Sequence, residues 1–208
     1  MKRSSDERTL IASVLLSSPG PIVIGLSLLS GYTSTQLADF IRRSAELAAI
    51  IISWAVYRLT LGSGSAVRAR NAGLERIAGR SVGAAMCLGG TAMALVALLS
   101  DKAVKGNVIP GLVIALLGFT TNTWFWIRYR ILDRRSPNAI LKAQSALYRA
   151  KALVDACVSL VLAYIALFPA SPAGPCLDRM GSLVVAAYLA ASGILTLRGK
   201  VKKAAPQV

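Results

Sequence analysis

The sequence contains no histidine, and its three cysteines, Cys87, Cys157 and Cys176, lie far apart along the chain. Histidine is the commonest protein ligand of transition metals and the commonest general base near neutral pH. The chain therefore lacks the side chain that most often fills either role. No cysteine pair has the C-x-x-C spacing of a zinc or redox site. A G-x-S-x-G turn and a glycine-rich phosphate loop are also missing. The sequence therefore predicts a protein that is not an enzyme and that holds no metal or cofactor of its own.

Charged residues are scarce, at 16% of the chain, whereas 55% of the residues are hydrophobic and the mean hydropathy is +0.59. Soluble domains are usually about 25% charged. Six apolar runs are each long enough for a membrane-spanning helix of about 20 residues. The runs are about 10–29, 37–59, 77–99, 108–127, 143–168 and 180–197. We therefore predict an all-α membrane protein with six transmembrane helices.

The runs define three parts of the chain: a cytoplasmic N-terminus (1–9), a six-helix transmembrane domain (10–198) and a basic cytoplasmic tail (199–208). Two prolines, Pro19 and Pro21, should kink or break the first helix. The third run is rich in glycine and alanine, which predicts close helix approach. The proline-rich segment 169–175 is expected to form a non-helical turn.

The basic residues predict the orientation of the spans. Of 24 Lys and Arg residues, 18 lie on the side of the membrane that holds both termini, and three lie on the other. Because cytoplasmic loops accumulate Lys and Arg, both termini are predicted to be cytoplasmic in a multi-pass protein of the inner or plasma membrane. The same rule explains the net charge of +15. The expected partner is therefore the lipid bilayer and not nucleic acid.

Four charged residues within the spans are candidates for an ion pathway: Arg42, Glu46, Lys151 and Asp155. Charges in a membrane are costly and usually face a bundle interior or a polar cavity. Arg42 and Glu46 are one helical turn apart, as are Lys151 and Asp155, so each pair lies on one helix face. Three interpretations of the first pair stay open: arginines that reach the outer interface, a buried ion pair, or a substrate or proton path through Glu46. The second pair is alternatively a simple intrahelical ion pair.

Short motifs at the entries to four spans resemble the transmembrane domain of the cation diffusion facilitator, or cation efflux, family. Residues 34–39 (STQLAD) are similar to the family's S-x-x-L-A-D entry to its second span, and residues 177–183 (LDRMGSL) to the L-D-P-x-x-x-L entry to its sixth. Residues 141–143 (LKA) with Tyr148-Arg149 resemble the L-R-A-D…H-Y-R-S-D lead into the fifth span. Residues 73–78 (GLERIA) resemble the lead into the third.

The resemblance implies a homodimeric transporter that exchanges a divalent metal, often zinc, for protons, with two ligands four residues apart on span two and two on span five. The span-two positions correspond to Arg42 and Glu46. The span-five positions correspond to Leu147 and Lys151, or one turn later to Lys151 and Asp155. Arginine stays protonated and cannot be a ligand. The family's cytoplasmic metal-binding domain has no counterpart in these 208 residues.

These departures suggest that fixed cations replace the metal. Arg42 and Lys151 bring two positive charges, and Glu46 and Asp155 bring two negative charges, which could form a neutral hydrogen-bonded cluster between spans two and five. The predicted function is membrane transport with a divalent cation or a proton as substrate, through an altered or degenerate site. The alternative is a non-transporting membrane scaffold or partner subunit that has kept the fold.

Overall fold

A computed structural model describes residues 2–29, 34–61, 68–99, 109–168, 171 and 173–198. Seven helices follow one another: α1 Lys2–Ser17, α2 Pro19–Leu28, α3 Ser34–Leu61, α4 Arg68–Leu99, α5 Ile109–Arg135, α6 Ala139–Leu167 and α7 Ala173–Leu197. Within these ranges no residue forms a strand. The predicted all-α fold is therefore confirmed. The basic tail 199–208 lies outside the described residues.

Four helical segments of the described chain are long and apolar enough to cross a membrane: Ser5–Leu26, Ala72–Leu99, Ala139–Leu167 and Arg179–Leu197. The first of these joins α1 and α2. The other two helices, α3 and α5, have 28 and 27 residues, which is about 40 Å at 1.5 Å per residue. Charged residues interrupt the first half of α3, and the polar segment 120–123 interrupts α5. The count of six spans therefore stays a prediction.

The first apolar run is broken at Ser18, directly before Pro19. Proline has no backbone N–H, and its ring clashes with the preceding helical turn, so Pro19 and Pro21 end one helix and begin the next. The Ser18 N–H donates to the Val14 carbonyl oxygen at 3.0 Å, and the Ser18 hydroxyl donates to the Leu15 carbonyl oxygen at 3.0 Å. These bonds complete the last turn of α1. The predicted break is confirmed.

Several helices extend beyond the apolar runs. α1 begins at Lys2 and α4 at Arg68, because polar residues continue a helix whose apolar part is already fixed by packing. Residues 173–175 form the first turn of α7. The prediction that the whole segment 169–175 is a non-helical turn is therefore wrong at its end. Proline is tolerated in a first helical turn, where its missing N–H would have no intrahelical partner.

The helix α2 continues α1 as one segment, and from there on successive helices alternate in direction, so the bundle has two ends. We call the end at which α1, α4 and α6 begin the α1 end, and the end at which α3, α5 and α7 begin the α3 end. At the α1 end, the Arg128 Nη2 on α5 donates to the Ser5 hydroxyl on α1 at 2.8 Å. At the α3 end, the Arg179 Nε on α7 donates to the carbonyl oxygen of Ala97, near the end of α4, at 2.9 Å.

The helices α4 and α7 approach each other closely through glycines. A Cβ atom on Gly83 would lie 2.9 Å from the Gly193 carbonyl oxygen, and one on Gly193 would lie 2.8 Å from the Gly83 carbonyl oxygen. Two turns further along α4, a Cβ atom on Gly90 would lie 2.8 Å from the Ala186 carbonyl oxygen. Small residues permit such backbone contact between membrane helices. The predicted close approach therefore occurs between α4 and α7 of the same chain.

We expect Gly193→Ala to destabilise the protein by about 1–3 kcal/mol, because the added methyl group overpacks a backbone contact. Gly79→Ala is the matched control, since nothing lies within 4 Å of its added Cβ. Alanine is also the better helix former, so the control should be neutral or slightly stabilising. Thermal unfolding in detergent compares the two variants. Equal melting temperatures would contradict the close α4–α7 contact.

The aromatic part of the core lies between the middle of the bundle and the α1 end. Phe125 and Tyr148 have ring centroids 4.8 Å apart, and those of Tyr129 and Tyr148 are 5.5 Å apart. Tyr129 is 0% exposed and Tyr148 is 1% exposed. These rings form a packed layer between α5 and α6, and the charged residues of the candidate site lie next to it on the side of the α3 end.

Candidate functional site: a charged cavity between α3, α5 and α6

Glu46 is the buried centre of the candidate site, with 5% of its surface exposed. Arg42, one turn earlier on α3, donates from Nη1 to the Glu46 Oε1 at 3.2 Å. Lys151 on α6 brings its Nζ to 3.3 Å from the Glu46 Oε2. The structure therefore places one carboxylate between two cations, one from its own helix and one from the helix opposite.

Both cations are inside the bundle. The side chains of Arg42 and Lys151 are 13% and 14% exposed. Arg42 is thus one partner of a largely buried ion pair, the geometry that the second of the three interpretations describes. Lys151 makes its ion pair with α3 instead of with Asp155 on its own helix. The Lys151 Nζ also lies 5.1 Å from the centre of the Tyr148 ring, a distance at which cation–π attraction acts.

Asp155, the second acid, has its partner on a third helix. The Asn122 Nδ2 on α5 donates to the Asp155 Oδ2 at 2.6 Å. Asn122 belongs to the polar segment 120–123 of α5, and its side chain contacts the neighbouring helix α6. Three helices therefore contribute polar groups to one region: α3 and α6 through the Glu46 cluster, and α5 through Asn122.

The two possible assignments of the span-five positions fall in different surroundings. Leu147 is 1% exposed and belongs to the apolar core. Lys151 and Asp155 both line a cavity that Arg42 and Glu46 also line. The structure thus brings Arg42, Glu46, Lys151 and Asp155 together around one space and leaves Leu147 outside it.

Glycines on neighbouring helices make room for two of the charged side chains. A Cβ atom on Gly89 of α4 would lie 3.0 Å from the Arg42 Cγ, and one on Gly118 of α5 would lie 2.8 Å from the Asp155 Oδ2. The long Arg42 side chain can therefore lie flat against α4. The Asp155 carboxylate fits against α5 at the point where Asn122 reaches it.

The cavity has a volume of about 760 Å³. Its charged lining residues are Arg42, Arg43, Glu46, Lys151 and Asp155. Toward the α1 end, its floor consists of Ser17, Phe125 and Tyr148. Toward the α3 end, its apolar wall includes Ile114 and Leu117, which are 66% and 64% exposed. The cavity is therefore lined by the buried rings of Phe125 and Tyr148 on one side and by exposed apolar residues of α5 on the other.

Two groups of polar residues near the site were missed in the sequence. Gln144 on α6 donates from Nε2 to the Ser53 hydroxyl on α3 at 2.8 Å, and both residues are 0% exposed. The spacing of these residues in the sequence could have indicated them. Ser53 follows Glu46 by seven residues, and Gln144 precedes Lys151 by seven. Each therefore lies two turns from a charged site residue, on the same face of its helix. The second group is a row of hydroxyl side chains on α1. Their spacing of four residues places them on one face of the helix: Ser5, Thr9, Ser13 and Ser17.

The donor set of the cavity is unsuited to a four-ligand metal site. Protonated arginine and lysine cannot coordinate a metal, and the two carboxylates already have close partners. In the parts of the chain that the structure describes, no group of three or more His, Cys, Asp or Glu side chains could hold a metal ion. With every group ionised, three basic and two acidic side chains give the cavity lining one net positive charge. The arrangement is that of a carboxylate whose counter-ions are supplied by the protein.

The comparisons with known proteins agree with the helical architecture. A scan against protein-family models matches residues 24–202 with the family described as cation efflux transmembrane domain. The match begins within α2 and extends beyond the end of α7, so it includes every residue of the candidate site from α3, α5 and α6. A search of curated proteins finds no match to the chain.

Proposed function

The chain belongs to the cation efflux family of transmembrane domains, and we therefore propose that it moves a cation across the membrane through the charged cavity. It is an integral, multi-pass membrane protein with four helices that are apolar and long enough to cross a bilayer. The observation that carries the proposal is the position of Glu46, a buried carboxylate on the wall of the cavity. Buried acids at the middle of a helical bundle are the usual binding groups of cation pathways.

In this proposal Lys151 is a tethered cation that the substrate displaces. Its ammonium group lies 3.3 Å from the Glu46 Oε2, so it occupies the place of a cation bound to that carboxylate. The lysine side chain is a compact point charge on a flexible stem. It can therefore leave Glu46 when a substrate cation arrives and return when the cation departs, which keeps the buried carboxylate neutralised at each stage.

The charge balance favours a proton or a monovalent cation as substrate. A divalent cation would add two charges to a lining that carries one net positive charge, and it would find two carboxylates where a zinc site usually offers four ligands. Zinc-type transport is the alternative within the same class. It requires that Lys151 withdraw so that Glu46 and Asp155 become available together.

A second candidate function is a membrane scaffold or partner subunit without transport. The self-neutralised cluster of Arg42, Glu46 and Lys151 favours it, because an internal ion pair locks helices together without any substrate. In either case we propose a role other than catalysis.

Flux measurements on the purified protein in liposomes distinguish these functions. We expect proton or monovalent-cation flux that Glu46→Gln abolishes. Glu7→Gln is the control, because Glu7 is 30% exposed and pairs with Arg58 at 3.9 Å near the α1 end, so its flux should match that of the unaltered chain. Zinc, manganese and iron(II) are tested in the same vesicles. Folded protein without flux of any ion would overturn the transport proposal and favour the scaffold.

We further propose six spans, both termini in the cytoplasm, and a homodimer. The distribution of Lys and Arg supports the orientation, which places the α1 end of the bundle on the cytoplasmic side. Reporter fusions to the two termini test it, and opposite locations for them would contradict it. The dimer is suggested by the family resemblance and is tested by cross-linking in native membranes.

A further inference from the structure

The first helix carries a hydroxyl side chain at every fourth position: Ser5, Thr9, Ser13 and Ser17. Residues with this spacing lie on one face of a helix. The Ser17 hydroxyl is 3.2 Å from the Tyr148 hydroxyl, and both residues line the floor of the cavity. One turn closer to the α1 end, the Tyr129 hydroxyl donates to the Ser13 hydroxyl at 2.8 Å. The hydroxyl face of α1 is therefore bonded to α5 and α6 directly beneath the cavity.

Three residues of the described core below this floor are fully buried. Leu10, Ser13 and Tyr129 are each 0% exposed. The Tyr129 and Tyr148 rings are stacked with centroids 5.5 Å apart. Two hydroxyl pairs and a stack of aromatic rings thus separate the cavity from the α1 end of the bundle.

We propose that this layer, made of Ser13, Ser17, Tyr129 and Tyr148, is the gate that closes the cavity toward the α1 end, and that it opens when α1 moves away from α5 and α6. The proposal rests on the proposed function, because a transporter must admit its substrate from both sides of the membrane.

The chemistry of these contacts suits a gate. A hydroxyl group that leaves its partner can bond to entering water, so a hydroxyl pair has a small net cost of separation. The stacked rings exclude water while the gate is closed. Two further polar contacts tie down the beginning of α1: Arg128 to Ser5 at 2.8 Å and Tyr57 to Asp6 at 3.3 Å. The four hydrogen-bonded contacts at Ser5, Asp6, Ser13 and Ser17 all involve α1, so one movement of this helix releases them together, whereas the Tyr129–Tyr148 stack joins α5 to α6.

Thiol accessibility tests the gate without any substrate. The full chain carries Cys87→Ala, Cys157→Ala and Cys176→Ala, together with Ser182→Cys, a nearly isosteric change in the cavity wall. A membrane-impermeant, charged methanethiosulfonate is applied to either side of vesicles in which the protein has a known orientation. The rate of labelling of S182C from the α1 side then reports how often that side is open.

We expect slow labelling from the α1 side, and an increase of about tenfold when Tyr129→Phe is added, because that change keeps the ring and removes the hydroxyl that contacts the Ser13 hydroxyl at 2.8 Å and the Thr9 carbonyl oxygen at 3.3 Å. The rate from the α3 side should stay the same. Thr120→Ala is the matched control on α5, since the Thr120 hydroxyl donates within its own helix to the Leu116 carbonyl oxygen, and it should leave both rates unchanged.

Two results would overturn the gate: equally fast labelling of S182C from both sides in the parent, or an unchanged α1-side rate in folded Tyr129→Phe protein. If Tyr129→Phe does not fold, Ser17→Ala in the same assay decides by the same criterion. The labelling measurement can contradict the gate without contradicting transport, and the flux measurement can contradict transport without contradicting the gate. A chain that transports nothing can still show a gated cavity, and a transporting chain can lack this gate.

Discussion

Glu46→Gln is expected to lower the free energy of unfolding by about 3–5 kcal/mol, the usual effect of removing one partner from a buried ion pair. Glu46 lies within 3.3 Å of two cations, the Arg42 guanidinium and the Lys151 ammonium. A glutamine keeps the shape of the side chain but not its charge. The variant therefore leaves two buried positive charges close together without the carboxylate between them.

Thermal unfolding in detergent measures this effect, with Glu7→Gln as the matched control. Glu7 also pairs with an arginine, but at 3.9 Å and with the Arg58 side chain 66% exposed. Exposed ion pairs contribute only about 0–1 kcal/mol. A Glu46→Gln protein as stable as the Glu7→Gln protein would show that the carboxylate of Glu46 does not neutralise buried cations.

Lys151→Met is expected to have two effects. The protein should lose about 1.5–3 kcal/mol of stability, since a hydrogen bond to a charged group is removed while Arg42 still pairs with Glu46. It should also gain a response to added cations, because the place next to the Glu46 Oε2 becomes free for an ion from solution. Ligands that bind the folded state raise the melting temperature by mass action.

The measurement is a series of melting curves with protons, sodium, potassium and zinc varied in turn. Arg149→Met is the control, because Arg149 lies two residues earlier on α6 and is exposed. We expect cation-dependent stabilisation in Lys151→Met and none in the control. If the two variants respond alike to every cation, Lys151 does not occupy a cation position.

The sequence predicted the part of the site that depends on spacing within one helix. Arg42 and Glu46 are four residues apart, so a helix alone brings them together, and the structure shows them 3.2 Å apart. The pairing of Glu46 with Lys151 crosses between helices. It was expected only because the family resemblance placed both residues at corresponding positions, and no spacing rule connects two residues on different spans.

The partners that were missed are all distant in the sequence. Asn122 and Asp155 are 33 residues apart, and Ser13 and Tyr129 are 116 residues apart. Hydroxyl groups at every fourth position of α1 could have indicated a polar face. Which helix that face contacts depends on how the bundle packs, and side-chain hydrogen bonds across helices are decided by packing. The broken first helix, in contrast, followed from Pro19 and Pro21 alone, because proline acts through its own backbone.

A double-mutant cycle on Glu46 and Lys151 tests most directly whether Lys151 supplies the cation that Glu46 holds. The unaltered protein, Glu46→Gln, Lys151→Met and the double variant are compared by reversible unfolding in mixed micelles, which gives their interaction free energy. We expect the double variant to recover part of the stability lost in Glu46→Gln, with an interaction free energy of at least about 1.5 kcal/mol. Additive losses, with an interaction free energy near zero, would contradict it.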